Sequence, residues 1–97
     1  GLGDVYKRQV IMFFAYWCFD CRVMASTLHE LEDQYAERVN FVYLDVDNPA
    51  TSELKKALAY RYLPQTMVIS PEGRILRIFY ERVSRETLEQ AIPQALD

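Results

Sequence analysis

Residues Val10–Cys21 read VIMFFAYWCFDC. Two periodicities meet inside this stretch. Val10 to Ala15 is a continuous apolar run rich in strand formers, the pattern of a strand covered on both faces. After Cys18 the period changes: Met24, Leu28, Leu31 and Tyr35 fall at i, i+4, i+7 and i+11, one stripe of a helix from about Phe19 to Ala36. The stretch therefore predicts a strand running directly into a helix. Cys18 and Cys21, the only two cysteines of the chain, fall in the first turn of that helix.

Working outward, VNFVYLDVD (Val39–Asp47) reads as a second buried strand. Asn48 is a cap and Pro49 suits the first turn of a following helix, whose apolar stripe would be Leu54, Ala57 and Leu58. LPQTMVIS (Leu63–Ser70) is a third strand entered through Pro64, SPEG a turn, and RILRIFY (Arg74–Tyr80) a fourth strand, so the last two form an antiparallel hairpin. Ser84 caps a final helix with Leu88, Ala91, Ile92 and Ala95 on one face, which Pro93 should kink or end early. The order β-α-β-α-β-β-α predicts an α/β domain, a four-stranded mixed sheet with helices on both faces. Phe13, Phe14, Phe41, Val42, Leu44, Val68, Ile69 and Ile78 are its expected core.

The 97 residues, 51% hydrophobic and 26% charged, suit one globular domain with a single modest core. A net charge of −3 with scattered basic residues gives no electrostatic footprint for nucleic acid. The longest uncharged run, Gln9 to Phe19, is far short of the roughly 20 residues that cross a bilayer. The first nine residues, GLGDVYKRQ, lack a starting Met and any apolar period. They resemble leaders found on unrelated reading frames assembled from environmental reads, so the domain is expected to span 10–97, N-terminally truncated. A native disordered lead-in is the alternative.

The cysteine pair admits four readings: redox pair, half of a metal site, lipid attachment, or structural bridge. Zinc needs about four ligands and a lone CxxC supplies two; His29, the only histidine, lies off its helix's apolar stripe and reads as a solvated surface residue. No metal ligand set is expected. Lipid attachment wants small residues before the cysteine, where Tyr16 and Trp17 stand. A structural bridge across so short a loop restrains the unfolded chain little. CxxC near a βαβ pattern is a specific redox signal. At a helix start, unpaired backbone N–H groups and the macrodipole favour a thiolate at Cys18. Cys21, one turn further in, is placed to resolve a mixed disulfide. Asp20 adds a negative charge that should oppose the thiolate and favour a reducing couple.

Three stretches, FFAYWCFDCRVM, VNFVYLDVDNP and YLPQTMVISPEG, resemble the thioredoxin superfamily, and the similarity runs from about Val10 to Ile92. The sequence is most similar to membrane-tethered thioredoxin-like proteins of the cyanobacterial and thylakoid type, and more loosely to the C-terminal domain of the DsbD reductant exporter. The resemblance implies a thiol–disulfide oxidoreductase acting on protein disulfides, as a monomer and without a bound cofactor, its only redox group being the Cys18–Cys21 pair. Electrons would come from an upstream dithiol protein such as a membrane reductant transporter, with work outside the cytoplasm and a tether upstream; a cytoplasmic location is the alternative. Cys18 becomes the nucleophile, Cys21 the resolving cysteine, and Trp17 the aromatic flank. Pro64 becomes a cis-proline opposite the cysteines, with Leu63 presenting backbone groups to substrate. Phe19 and Tyr16 form an apolar collar for a protein partner or pack as ordinary half-exposed residues.

Several positions depart from the family pattern. Met12 stands where a buried acid is common, Tyr43 where a lysine often accompanies it, Gln65 where a threonine follows the proline, and Glu81 where a glycine leaves room for a partner. The family's first strand and helix have no counterpart, so the Phe41–Val46 strand should lie at a sheet edge that a longer chain would cover. Two other classes compatible with the sequence are a metal-handling module holding a soft ion between thiolates and a redox-inert binding domain of the same fold.

Overall fold

The computed structural model describes the backbone of residues 7–94 and the side chains of residues 7–92. Its elements are β1 (Arg8–Phe14), α1 (Phe19–Tyr35), β2 (Val39–Asp45), a 3-10 turn (Pro49–Thr51), α2 (Ser52–Ala57), β3 (Gln65–Ile69), β4 (Ile75–Phe79) and α3 (Arg85–Gln94). One sheet has the order β2-β1-β3-β4, with β1 parallel to β2 and antiparallel to β3, and β3 antiparallel to β4. This is the expected mixed sheet, with the second strand at an edge.

β1 begins two residues earlier than the apolar run. Arg8 and Gln9 pair with Val39 and Asn40, so part of the sequence set aside as a leader lies in the sheet; residues 1–6 fall outside the described residues.

The face on which a side chain sits follows from register. Tyr43 donates its hydroxyl to Glu32 and meets the His29 ring edge-on, so Tyr43 faces α1. Met12 is its neighbour on β1 and Thr66 is the neighbour of Met12 on β3; neighbours across a ladder share a face. Against this face α1 buries Cys21, Met24, Leu28, Leu31 and Tyr35, the predicted stripe. α3 adds Leu88, Ala91 and Ile92. Its N-terminus is held by Ser84, whose hydroxyl accepts from the Thr87 N–H at 3.2 Å. α3 passes through Pro93 to Gln94, so the proline does not end the helix at its own position. Ala95 lies outside the described residues.

The opposite face is covered by α2 and the loop after it, and here two expectations fail. Of the expected α2 stripe, Leu54 and Ala57 are exposed, and only Leu58, half-buried at the end of this six-residue helix, packs against the core. Asn48 does cap the preceding turn, accepting from the Ala50 N–H at 2.9 Å. Ile78, expected in the core, is exposed: it sits on edge strand β4, beyond the reach of so short a helix. Phe13, Val68 and Ile69 are buried, while Phe14, Phe41, Val42 and Leu44 pack half-buried against the core.

Candidate active site

The site forms where β1 hands over to α1. The Cys18 N–H donates to Ala15 O at 3.1 Å, turning the chain. Cys18 is the N-cap residue, extended at φ −90° and ψ 110°, and its Sγ accepts from the Cys21 N–H at 3.1 Å. An N-cap side chain that takes up an otherwise unpaired helical N–H is the standard way to finish a helix start; here sulfur does it. The same N–H and the helix dipole stabilise an anion at Cys18. Cys18 and Cys21 are joined as a disulfide with Cα atoms 5.2 Å apart. Cys18 is 9% exposed and Cys21 1%, so one sulfur can be reached from outside and the other lies in the core.

Around the sulfurs stands a ring of aromatics. Tyr16, Trp17 and Phe19 are 75%, 71% and 63% exposed. Trp17 is nevertheless fixed: its Nε1 donates to Asp47 Oδ2 at 2.8 Å, and Asp47 is itself held through its N–H to Asp45 Oδ1. Tyr16 meets Phe14 edge-on, with centroids 5.1 Å apart. The Arg22 guanidinium lies 5.8 Å from the Phe19 ring centroid.

Asp20 shares a groove of about 490 Å³ with Leu63, Pro64, Phe79 and Glu81. The Leu63–Pro64 bond is cis, the isomer that the resemblance implies. Asp20 does not stand as a lone charge, because Arg82 reaches it at 3.7 Å. Both side chains are about half exposed, so the pair is weak and salt-sensitive, yet it offsets part of the opposition to a Cys18 thiolate that the sequence suggested.

The sequence does not signal the supporting roles of three residues, although Gln65 stands out as a departure from the family pattern. Asp47 pins Trp17 and Arg82 meets Asp20; both contacts join segments distant in the chain, and no local spacing signals them. Gln65 is the third. It is fully buried, accepts from the Arg61 N–H at 2.8 Å and donates to Ala59 O at 3.5 Å, which ties down the loop entering Pro64. That loop leaves α2 through Ala59 at φ 53°, with the Tyr60 N–H returning to Lys55 O at 2.8 Å, a left-handed helix exit. His29 is exposed and lies against Tyr43. Among the described residues no cluster of three potential metal ligands occurs, and no helix is long and apolar enough to cross a membrane.

A CxxC disulfide at a helix start, sharing one end of a mixed sheet with a cis-proline, defines the class of thioredoxin-fold domains. The thioredoxin family model matches residues 3–94, and the chain belongs to that family. It is 36% identical over 67 residues to the chloroplastic thioredoxin-like protein HCF164 of Oryza sativa, covering 69% of this chain and 26% of that protein. It is 32% identical to the thiol:disulfide interchange protein TxlA homolog of Synechocystis, covering 95% of this chain and 56% of that protein. The chain thus spans about a quarter to just over half of these relatives. Among solved structures, the germline-specific thioredoxin Deadhead of Drosophila melanogaster superimposes with a TM-score of 0.79 at 26% identity, covering 96% of this chain and 84% of the other.

Proposed function

We propose that this domain is a protein thiol–disulfide oxidoreductase that works as a reductant. The observation that carries the reading is the unequal burial of two bonded sulfurs at a helix start. In the reduced domain the Cys18 thiolate attacks one sulfur of a substrate disulfide, and the other substrate sulfur leaves as a thiolate. Cys21 then attacks Cys18 Sγ and releases the second substrate sulfur. Two electrons have passed to the substrate, and the Cys18–Cys21 disulfide remains. No bound cofactor takes part, and one monomer suffices.

Trp17, Phe19 and Asp20 flank the incoming disulfide, and an extended substrate segment lies along the groove beside Pro64, with Leu63 offering backbone groups. Regeneration needs an upstream dithiol donor. A membrane reductant transporter is the donor of this reading, with work outside the cytoplasm and a cytoplasmic location as the alternative; similarity to a thiol:disulfide interchange protein supports the exchange step itself.

The test is insulin-disulfide reduction. Cys18→Ser should abolish it, and Cys21→Ser should accumulate mixed disulfides that dithiothreitol releases. Undiminished turnover by Cys18→Ser would sink the reading. Equilibration with glutathione fixes direction: a potential near about −270 mV marks a reductant, one near about −120 mV an oxidant.

A further inference from the structure

The resolving step asks something of Cys21 that its surroundings make difficult. Cys21 is 1% exposed, and burial in an apolar core raises a thiol's pKa because the thiolate loses its water. Met12, on the same face of the sheet, is fully buried and carries no group that can stabilise an anion.

Among the described residues two buried side-chain polar atoms have no hydrogen bond, Arg8 Nε and Thr66 Oγ1; Arg8 opens β1, at the end away from the cysteines, and Thr66 lies at the other end. Thr66 is fully buried, and its Oγ1 makes no hydrogen bond. An orphaned buried hydroxyl costs about 1–3 kcal/mol and calls for an explanation. The other buried polar side chains are satisfied: Thr51 bonds to Asp45 O and Asn48 O, Gln65 to Arg61 and Ala59, and Ser70 to Arg74.

Topology places Thr66 at the site. It is two residues past the cis-proline, and its ladder neighbours are Met12 on β1 and Phe79 on β4, Phe79 being a wall of the groove that Asp20 and Pro64 also line. β3 runs antiparallel to β1, so the start of β3 lies at the end of β1 that leads into α1. Thr66 therefore stands on the α1-facing side, at the end of the sheet where α1 begins and where its buried stripe opens with Cys21.

We propose that the Thr66 hydroxyl is the hydrogen-bond donor for the Cys21 thiolate, directly or through one buried water, and so sets the rate at which the mixed disulfide is resolved. The inference rests on the exchange reading above. Cys21 loses its proton to solvent while Thr66 keeps its own and stabilises the anion. The Cys21 electron pair then forms the bond to Cys18 Sγ, and the bond from Cys18 to substrate breaks with its electron pair on the substrate sulfur. In the disulfide state Cys21 carries no charge, which is why the hydroxyl stands idle in this structure.

The experiment is stopped-flow reduction of a disulfide-bonded peptide, with formation and resolution of the mixed disulfide followed separately across pH. Thr66→Val should slow resolution about tenfold at neutral pH and displace its pH profile upward by about one unit, while alkylation of Cys18 by iodoacetamide keeps its rate. Thr66→Ser should restore the profile. Because valine replaces an unpartnered hydroxyl, the oxidised Thr66→Val protein should melt no lower than the parent. Resolution by Thr66→Val with an unchanged pH profile overturns the role of Thr66, as does failure of serine to restore it. A parent protein that forms no mixed disulfide overturns the exchange reading instead.

Discussion

On the sheet face covered by α1 and α3, Met12, Met24, Leu28, Leu31, Leu88 and Ile92 are all fully buried. On the opposite face Phe13 and Met67 of the sheet are fully buried, but no residue of the six-residue α2 is, and Leu54 and Ile78 stand in solvent. The covered face ends at Cys21 and holds that sulfur in the core. The opposite face ends in the loop from Ala59 to Pro64, which hydrogen bonds hold in place together with the packing of Tyr60 on Phe13 and of Leu63 against the core. Two methods of construction thus meet at one site: dense apolar contact fixes Cys21, and a polar clamp adds to the packing that fixes the loop carrying the cis-proline.

The largest expected effect tests that division. Leu28→Ala leaves a cavity under α1 and should cost about 2–5 kcal/mol in urea unfolding. Leu54→Ala, a leucine of equal size on α2, should stay within about 0.5 kcal/mol. Equal losses would mean that the two faces are packed alike.

Thr51→Val probes the polar side. The Thr51 hydroxyl bonds to Asp45 O at 2.9 Å and to Asn48 O at 2.8 Å, closing the loop that carries Asp47. Its loss should cost about 1–2 kcal/mol. It should also alter the fluorescence of Trp17, the only tryptophan, whose indole rests on Asp47. Destabilisation with unchanged fluorescence would separate this loop from the site.

The same division decides what could be read from the sequence. Along β1 and α1, burial repeats at the period of the element itself, so Met24, Leu28, Leu31 and Tyr35 announced their face, and the cysteines announced the helix start. The α2 stripe carried a similar signal and misled. Period reports which side of a helix is apolar, not whether anything lies against it, and of the α2 stripe only Leu58 packs against the core. Ile78 misled for the same reason on an edge strand. The clamps at Asp47, Gln65 and Arg82 join segments that only the folded chain brings together. The orphaned hydroxyl of Thr66 is likewise a property of packing, since nothing in TMVIS says which side chain will lack a partner.

The smallest predicted effect concerns Tyr43, at the border between the covered face and the outer edge of the sheet. Its phenol pKa is raised, first by burial, then by the hydrogen bond to Glu32 and by that residue's charge. The folded chain therefore holds this proton more tightly than the unfolded chain, where a phenol titrates near about 10. The contribution is fully present below that pH and is lost as pH rises above it. At pH 7, Tyr43→Phe loses a half-exposed hydrogen bond, worth about 1 kcal/mol or less. Towards pH 11 only the parent keeps losing stability at this position, so the gap between the two urea midpoints should narrow. Tyr60 is also raised, by burial and then by the Asp47 charge, but it is present in both proteins and cancels in the difference. A gap that held constant or widened with alkali would mean that Glu32 does not hold the Tyr43 proton, and that the edge strand is looser against α1 than the hydrogen bond implies.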